Sequence, residues 1–360
     1  FLSSPALALD NEGDVDVADT DGDGDLDLLI TGDDGPGELT KFYTNDGTGV
    51  FTEDATASAL FTNMRDSDAD FADVDGDGDQ DLLINGRFES SDREAELYLN
   101  DGTGTFTLAA GTPFIGGNAG TVDFFDTDND GDMDVLLSGY ENSTPHRNTR
   151  LYSNDGDGNF SVSSEQLTDD FIPVKLDPPY SNTYESHSND FNNDGYFDIV
   201  IVPDSGFIQR NGGSGWIAMS NGTPNFSEWE KVPLPNPRYL NNSRLNDLES
   251  TDVDNDGYVD LIIATTRDTP YYIGAGIQIL KNNSGSGFID ITESHIEDQS
   301  MFDQWAGEGE LVLKDFNNDG VLDIFHLLQS NYNIFIGGGE HHGINIYINN
   351  NGFFEIFETE

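Results

Sequence analysis

Aspartate alternates with other residues in six nine-residue segments: Asp19 to Asp27 (DTDGDGDLD), Asp73 to Asp81 (DVDGDGDQD), Asp126 to Asp134 (DTDNDGDMD), Asp190 to Asp198 (DFNNDGYFD), Asp252 to Asp260 (DVDNDGYVD) and Asp315 to Asp323 (DFNNDGVLD). The shared pattern is D-x-[DN]-x-D-G-x-x-D. Positions 1, 3, 5 and 9 can aim side-chain oxygens at one centre, and glycine at position 6 permits the sharp turn this needs. The carbonyl of position 7 adds a further oxygen. Calcium takes six to eight oxygens in flexible geometry, whereas magnesium wants fewer protein ligands and more water. Zinc wants His or Cys, and the chain has no cysteine. Four clustered carboxylates also repel one another unless a cation neutralises them.

The ligands expected through side chains are Asp19, Asp21, Asp23 and Asp27; Asp73, Asp75, Asp77 and Asp81; Asp126, Asp128, Asp130 and Asp134; Asp190, Asn192, Asp194 and Asp198; Asp252, Asp254, Asp256 and Asp260; and Asp315, Asn317, Asp319 and Asp323. Asp25, Asp79, Asp132, Tyr196, Tyr258 and Val321 would contribute their carbonyls. About six structural Ca²⁺ ions are expected, one per loop. These are not EF-hands, which need a bidentate glutamate at position 12 between helices. Here position 12 is Ile30, Ile84, Leu137, Ile201, Ile263 or His326, inside an apolar run of strand character. Each cage therefore belongs at a strand–loop–strand corner, filled by protein ligands, and reads as a staple rather than a reaction centre.

The loops recur at intervals of 54, 53, 64, 62 and 63 residues, and each interval repeats one order of events. An alternating run enters the loop (DVDVAD, DADFAD, TVDFFD, ESHSND, DLESTD, ELVLKD) and an apolar run leaves it. A third run ends in Asn (LTKFYTN, AELYLN, TRLYSN, GWIAMSN, IQILKN, INIYIN). A Gly/Asn/Asp turn and an aromatic-led fourth run follow (VFTED, TFTLA, NFSVS, NFSEW, GFIDI, FFEIF). Four short strands per repeat, with turn signals between them, predict propeller blades. No window keeps a helical period. The expectation is an all-β propeller of six four-stranded blades in one domain over 1–360, with repeats at about 14–54, 68–110, 121–165, 185–230, 247–293 and 310–360. A lone blade could not bury both faces.

These loops and the LYxNDGTGxF segments resemble the FG-GAP/VCBS repeat family, best known from the propellers of integrin α subunits. The resemblance covers nearly the whole chain. It implies calcium at the corner between the first and second strands of each blade, and a secreted or surface protein, often adhesive or glycan-related. Integrin propellers usually have seven blades and fewer calcium loops, so seven blades is the alternative and the partner does not carry over.

The chain has 360 residues, 69 of them acidic against 14 basic, for a net charge of −55. Six divalent ions would leave it strongly anionic. That excludes nucleic acid as a partner, since recognition there needs a basic footprint, and suits a saline medium that screens charge. No 18-residue apolar stretch is present to insert in a membrane as a helix. The opening FLSSPALALDNEGD has neither a basic n-region nor an initiator Met, so it does not read as a signal peptide. The expectation is a processed chain or part of a longer protein with neighbouring domains. Extracellular calcium modules bind at about 0.1–1 mM, which points to an extracellular or cell-surface location.

Loop parity in a propeller puts the calcium loops and the third-to-fourth-strand turns on one face. Every arginine except Arg150 falls in the loops of the other face. Arg87, Arg147, Arg210, Arg238 and Arg267, with Tyr184, His187, Tyr239, Tyr271 and Trp305, are the expected ligand-binding residues, because Arg forks grip carboxylate or sulfate and aromatic faces stack on sugars. The expected ligand is a glycan, anionic ones included, or a protein. Pairing of these arginines with the protein's own acids is the competing reading. The first strands carry two rows of mostly acidic residues, Asp14, Asp68, Thr121, Glu185, Asp247 and Glu310, then Asp16, Asp70, Asp123, His187, Glu249 and Val312. In a channel these would hold a cation, a basic group or water. The function expected is non-enzymatic binding and adhesion. The alternative is a polysaccharide lyase acting on uronic-acid chains, using His146, Arg147, Tyr184 and His187.

Overall fold

The structure, a computed structural model, describes residues 13–33, 37–48, 50–88, 92–142, 147–163, 184–203, 215–223, 226–238, 243–267, 274, 276–296, 308–315, 321–329, 343–350 and 352–359. Its strands form six antiparallel sheets, each running in chain order. Blade I is β1 (Val15–Ala18), β2 (Asp27–Asp33), β3 (Glu38–Asn45) and β4 (Phe51–Glu53). Blade II is β5 (Arg65–Ala72), β6 (Asp81–Phe88), β7 (Asp92–Asn100) and β8 (Phe106–Leu108). Blade III is β10 (Val122–Phe125), β11 (Asp134–Glu141), β12 (Arg147–Ser153) and β13 (Ser161–Val162), with the short β9 (Gly117–Asn118) also paired to β11.

Blade IV is β14 (Tyr184–Asn189), β15 (Asp198–Pro203), β16 (Trp216–Met219) and β17 (Glu230–Pro233). Blade V is β18 (Ser243–Thr251), β19 (Asp260–Arg267), β20 (Gly276–Asn282) and β21 (Phe288–Asp290). Blade VI is β22 (Glu308–Lys314), β23 (Asp323–Gln329), β24 (Gly343–Asn350) and β25 (Phe353–Thr359). The fold is all-β, a propeller of six four-stranded blades. Blades I to III lie in one compact unit and blades IV to VI in a second. No helix among the described residues is long and apolar enough to cross a membrane.

The apolar runs after each loop are second strands, and both of their faces are covered. Residues alternate between faces with a period of two, so one strand feeds two cores. In β6, Leu82 and Ile84 pack with Leu29, Phe42 and Tyr98 at the seam between blades I and II, while Leu83 packs with Val122, Val135 and Tyr152 at the seam between II and III. In β19, Leu261 and Ile263 join Val200 and Ile217, and Ile262 and Ala264 join Ile324 and Tyr347. Within each unit the core is thus a set of slabs between consecutive blades. Third-strand tyrosines close two of them: the hydroxyls of Tyr98 and Tyr152 accept from the Thr62 and Ile115 N–H groups, each at 3.1 Å.

Three local features depart from the expected pattern. The run NFSEW, expected as the fourth strand of blade IV, begins instead with a 3₁₀ turn (Phe226–Glu228), and β17 starts after it. Phe226 and Trp229 are buried, so packing of the two rings wins over a continuous extended run. Short helices follow the fourth strands of blades I and V, α1 (Ala55–Leu60) and α2 (Thr292–His295). Asp54 starts α1 as a side-chain N-cap, accepting from the Thr56 and Ala57 N–H groups at 2.7 and 3.1 Å. Strand β9 gives β11 a second partner beyond the end of β10.

Candidate metal centres

The five nine-residue loops that are described throughout share one wiring. The position-1 aspartate accepts the N–H of the position-6 glycine: Gly24 to Asp19 at 3.0 Å, Gly78 to Asp73 at 3.0 Å, Gly131 to Asp126 at 2.9 Å, Gly195 to Asp190 at 2.9 Å and Gly257 to Asp252 at 2.7 Å. That bond requires the chain to double back, and position 6 does so in the left-handed region, with φ of 90° to 97°. Position 4 is left-handed too, as Gly22, Gly76, Asn129, Asn193 and Asn255. Glycine and asparagine are the residues that tolerate it. Position 5 then accepts from the position-7 N–H, as in Asp77 from Asp79 and Asp256 from Tyr258, both at 3.0 Å.

Position 9 is the anchor. Asp27, Asp81, Asp134, Asp198, Asp260 and Asp323 are all nearly or fully buried. In every blade one carboxylate oxygen accepts the N–H of a residue at or beside the end of the third strand: Asn45, Asn100, Asn154, Ser220, Asn282 and Asn349, at 2.6 to 2.9 Å. In the first five loops the other oxygen accepts the position-2 N–H, from Thr20, Val74, Thr127, Phe191 and Val253. Burial pushes four of these carboxyls up, Asp81 and Asp134 to about 6, Asp198 and Asp260 to about 7.

A residue class outside the expected ligand set ties the loops across the seams. The Asn100 amide donates to the Thr20 carbonyl of the preceding blade's loop at 2.7 Å and to the Gln80 carbonyl of its own at 3.2 Å. Asn154 does so with Val74 and Met133, Asn282 with Phe191 and Val259, and Asn349 with Val253 and Leu322. The third-to-fourth-strand turns close in as well. A Cβ on Gly102 would fall 2.4 Å from an Asp79 carboxylate oxygen, and one on Gly352 would fall 3.0 Å from the Asp254 Cβ of the preceding blade. The position-7 carboxylates of Asp25, Asp79 and Asp132 turn toward Gly47, Gly102 and Gly156 of these turns. Their carbonyls, not their carboxylates, are what the expected cage uses.

The donor set fits a hard cation. In four loops three aspartates offer one oxygen each, all within 4.8 Å of one another: Asp19, Asp21 and Asp23; Asp73, Asp75 and Asp81; Asp126, Asp128 and Asp130; Asp252, Asp254 and Asp260. Buried oxygens of Asp19, Asp75 and Asp254 have no hydrogen-bond partner, a state that costs free energy unless something fills it. Asp21, Asp75 and Asp128, all at position 3, are held above the usual carboxylate range by desolvation and by neighbouring carboxylates. The fourth loop keeps the wiring with Asn192 at position 3. Of the sixth, Asp315, Val321 and Asp323 are described, and Asn317 and Asp319 lie outside the described residues.

The FG-GAP-like repeat model matches residues 19–84, 86–137, 190–263 and 252–326, more than half of the sequence. The chain belongs to the FG-GAP-like repeat family. No curated protein matches it. The four FG-GAP matches run from the loop of blade I to the loop of blade VI, so the family likeness and the repeated cages coincide.

The first-strand acids of this FG-GAP chain do more than line a surface. An outermost strand leaves N–H groups without a partner in its own sheet, and carboxylates of the preceding blade supply one. Asp14 accepts from Ala69, Asp68 from Val122, Asp70 from Phe124 and Asp247 from Leu311, at 2.5 to 3.1 Å. Burial, with neighbouring carboxylates behind it, pushes Asp16 and Asp70 to about 8.

The arginines expected in loops are only partly described, and Arg65, Arg87, Arg93 and Arg267 lie instead within the ends of β5, β6, β7 and β19, where the strands run longer than their apolar cores. Arg87 pairs with Asp66 at 2.8 Å and Arg65 with Glu38 at 3.3 Å, while Arg93 bonds the side-chain oxygens of Asn118 and Asn142. Arg65 and Arg87 thus pair with the chain's own acids, and Arg93 with its amides. Arg238 and Arg267 are half-buried, and His187 sits half-buried on β14 with burial lowering its pKa. The side chains of Arg147 and Tyr184 lie outside the described residues, as do His146, Arg210, Tyr239, Tyr271 and Trp305.

Two outcomes are expected. Asn282→Ala strips a donor from the buried Phe191 carbonyl and the part-buried Val259 carbonyl and should cost about 1–3 kcal/mol, read as a lower urea midpoint in calcium; an unchanged midpoint would show that the seam does not depend on it. The second concerns pH. Asp16 and Asp70 are raised in the folded state, so that state holds protons which the unfolded chain releases above its ordinary carboxylate range. Their contribution is full below about pH 4 and disappears as pH rises through about 8. Metal-free protein should therefore melt at progressively lower temperature from pH 5 to 8.5, and Asp16→Asn with Asp70→Asn should flatten that slope.

Proposed function

We propose that the protein is a calcium-stabilised, non-enzymatic binding and adhesion module, secreted or held at the bacterial cell surface, that recognises a glycan or a protein through the face opposite the loops. FG-GAP propellers are binding modules in general. The observation that carries the calcium reading is the combination, in the loops of blades I, II and V, of converging aspartate oxygens with a buried oxygen that has no hydrogen-bond partner. When bound, the ion would neutralise the carboxylates of positions 1, 3, 5 and 9. Position 9 already ties the loop to the third strand, and the third-strand asparagine ties it to the neighbouring blade. Filling the cage therefore stiffens two blades together.

The extracellular placement rests on the affinity expected of extracellular calcium modules, about 0.1–1 mM. Half-buried Arg238 and Arg267 are the described residues on which ligand recognition is placed, and an acidic glycan or acidic protein loop suits their forks.

Two measurements test the reading. A hundredfold excess of calcium over Kd stabilises by about 2.7 kcal/mol per site, so chelator should lower the melting temperature well beyond ten degrees or so for several sites, and Asp75→Ala should remove part of that gap. An unchanged midpoint with and without chelator overturns the calcium reading. For recognition, a screen of sulfated and uronate glycans in calcium should show binding that Arg238→Ala and Arg267→Ala weaken about tenfold, with the fold intact. Release of unsaturated uronate from such chains would instead establish a lyase.

A further inference from the structure

One loop of the set contains a cation supplied by the chain itself. Lys281, on β20, reaches the loop of blade V, where its Nζ contacts Asp254 Oδ2 and lies 2.7 Å from Asp256 Oδ2. These are positions 3 and 5 of that loop. The corresponding third-strand residues, one before the Asn or Ser that bonds position 9, are Thr44, Leu99, Ser153, Met219 and Ile348. None is charged, so the lysine is peculiar to blade V.

The geometry divides the loop between two claims. Asp252, Asp254 and Asp260 still offer oxygens within 4.8 Å of one another, and Asp254 Oδ1 is buried without a hydrogen-bond partner. Asp254 Oδ2 and Asp256 Oδ2 are held by the ammonium on the other side. We propose that Lys281 is a tethered competitor of the divalent cation at the loop of blade V, making that loop the weakest of the set and the first to empty as calcium falls. This rests on the calcium reading above.

Both routes to a filled loop cost affinity. Either the ammonium leaves and two ion pairs are lost, or it stays within a few ångströms of a doubly charged ion, and like charges that close repel. The same contact acts in the opposite sense without metal, because a positive charge among the loop carboxylates relieves part of their repulsion. The loop of blade V also holds the seam to blade VI, since Asn349 bonds the Val253 carbonyl and Gly352 abuts Asp254. That seam would keep its shape at calcium levels that loosen the others.

The test is calcium titration calorimetry on the full chain, wild type against Lys281→Met, with melting in chelator as the second reading. Lys281→Met should tighten one calcium site about tenfold, equivalent to about 1.4 kcal/mol, and lower the melting temperature in chelator. The reciprocal change, Thr44→Lys, should weaken one site by a similar factor by bringing an ammonium to Asp21 and Asp23. Asp254→Asn combined with Lys281→Met should cancel the gain. Calcium sites that keep their affinities within twofold in Lys281→Met, or a site that weakens, would overturn the competitor role while leaving the calcium reading intact. No calcium binding in either protein would overturn both.

Discussion

A buried carboxylate that must receive two backbone N–H groups from different directions is the constraint on which the rest of each blade depends. Position 9 meets it with aspartate, because an ionised carboxylate only accepts and offers two oxygens. One oxygen holds the start of the loop and the other holds the third strand. An asparagine there would present a donor NH₂ to one of the two N–H groups and leave it unsatisfied. The negative charge that results is buried, and burial of charge is costly unless it is paired. Concentrating three more oxygen ligands around it makes the site costly without a cation and stable with one. The acidity of the loops and the rigidity of the corner are thus one property.

The same chemistry is used differently on the first strands. There the carboxylates of Asp14, Asp68, Asp70 and Asp247 reach across to N–H groups of the next blade. A strand edge that would otherwise need another strand beside it is finished by side chains, one acceptor per blade. On Asp16 and Asp70 of these strands, burial and neighbouring carboxylates raise the pKa to about 8, so protons relieve their charge. Part of the −55 charge is therefore structural: it supplies acceptors that the β-sheets themselves lack.

The parts legible in the sequence were those with local periodicity. The loops, the four strands per repeat and the six blades follow from spacing and alternation, and family likeness agreed with them. The third-strand asparagines were visible as recurring letters but not as seam residues, because Asn100 and Asn282 find their carbonyls 80 and 91 positions away. Left-handed position 4 had a signal in the G, G, N, N, N series, and it went unread because only the ligand positions were weighed. The fourth strand of blade IV shifted because Phe226 and Trp229 bury their rings through a turn, which strand alternation does not encode. Loop parity assigned the arginines to a face but could not name their partners, and Arg87 and Arg65 found acids of their own chain.

Why the cages should stabilise rather than react follows from what position 9 already does. A catalytic metal keeps an open position and often a carboxylate free to take or give a proton. In these loops the carboxylate best shielded from solvent is spent on two backbone N–H groups, and the position-1 carboxylate holds the glycine that makes the turn. Protonating either one, or swinging it toward a bound water, would release the strand end or the turn that forms the site. Chemistry at an ion held there would therefore have to dismantle the corner that holds it, whereas stabilisation by such an ion would leave the corner in place.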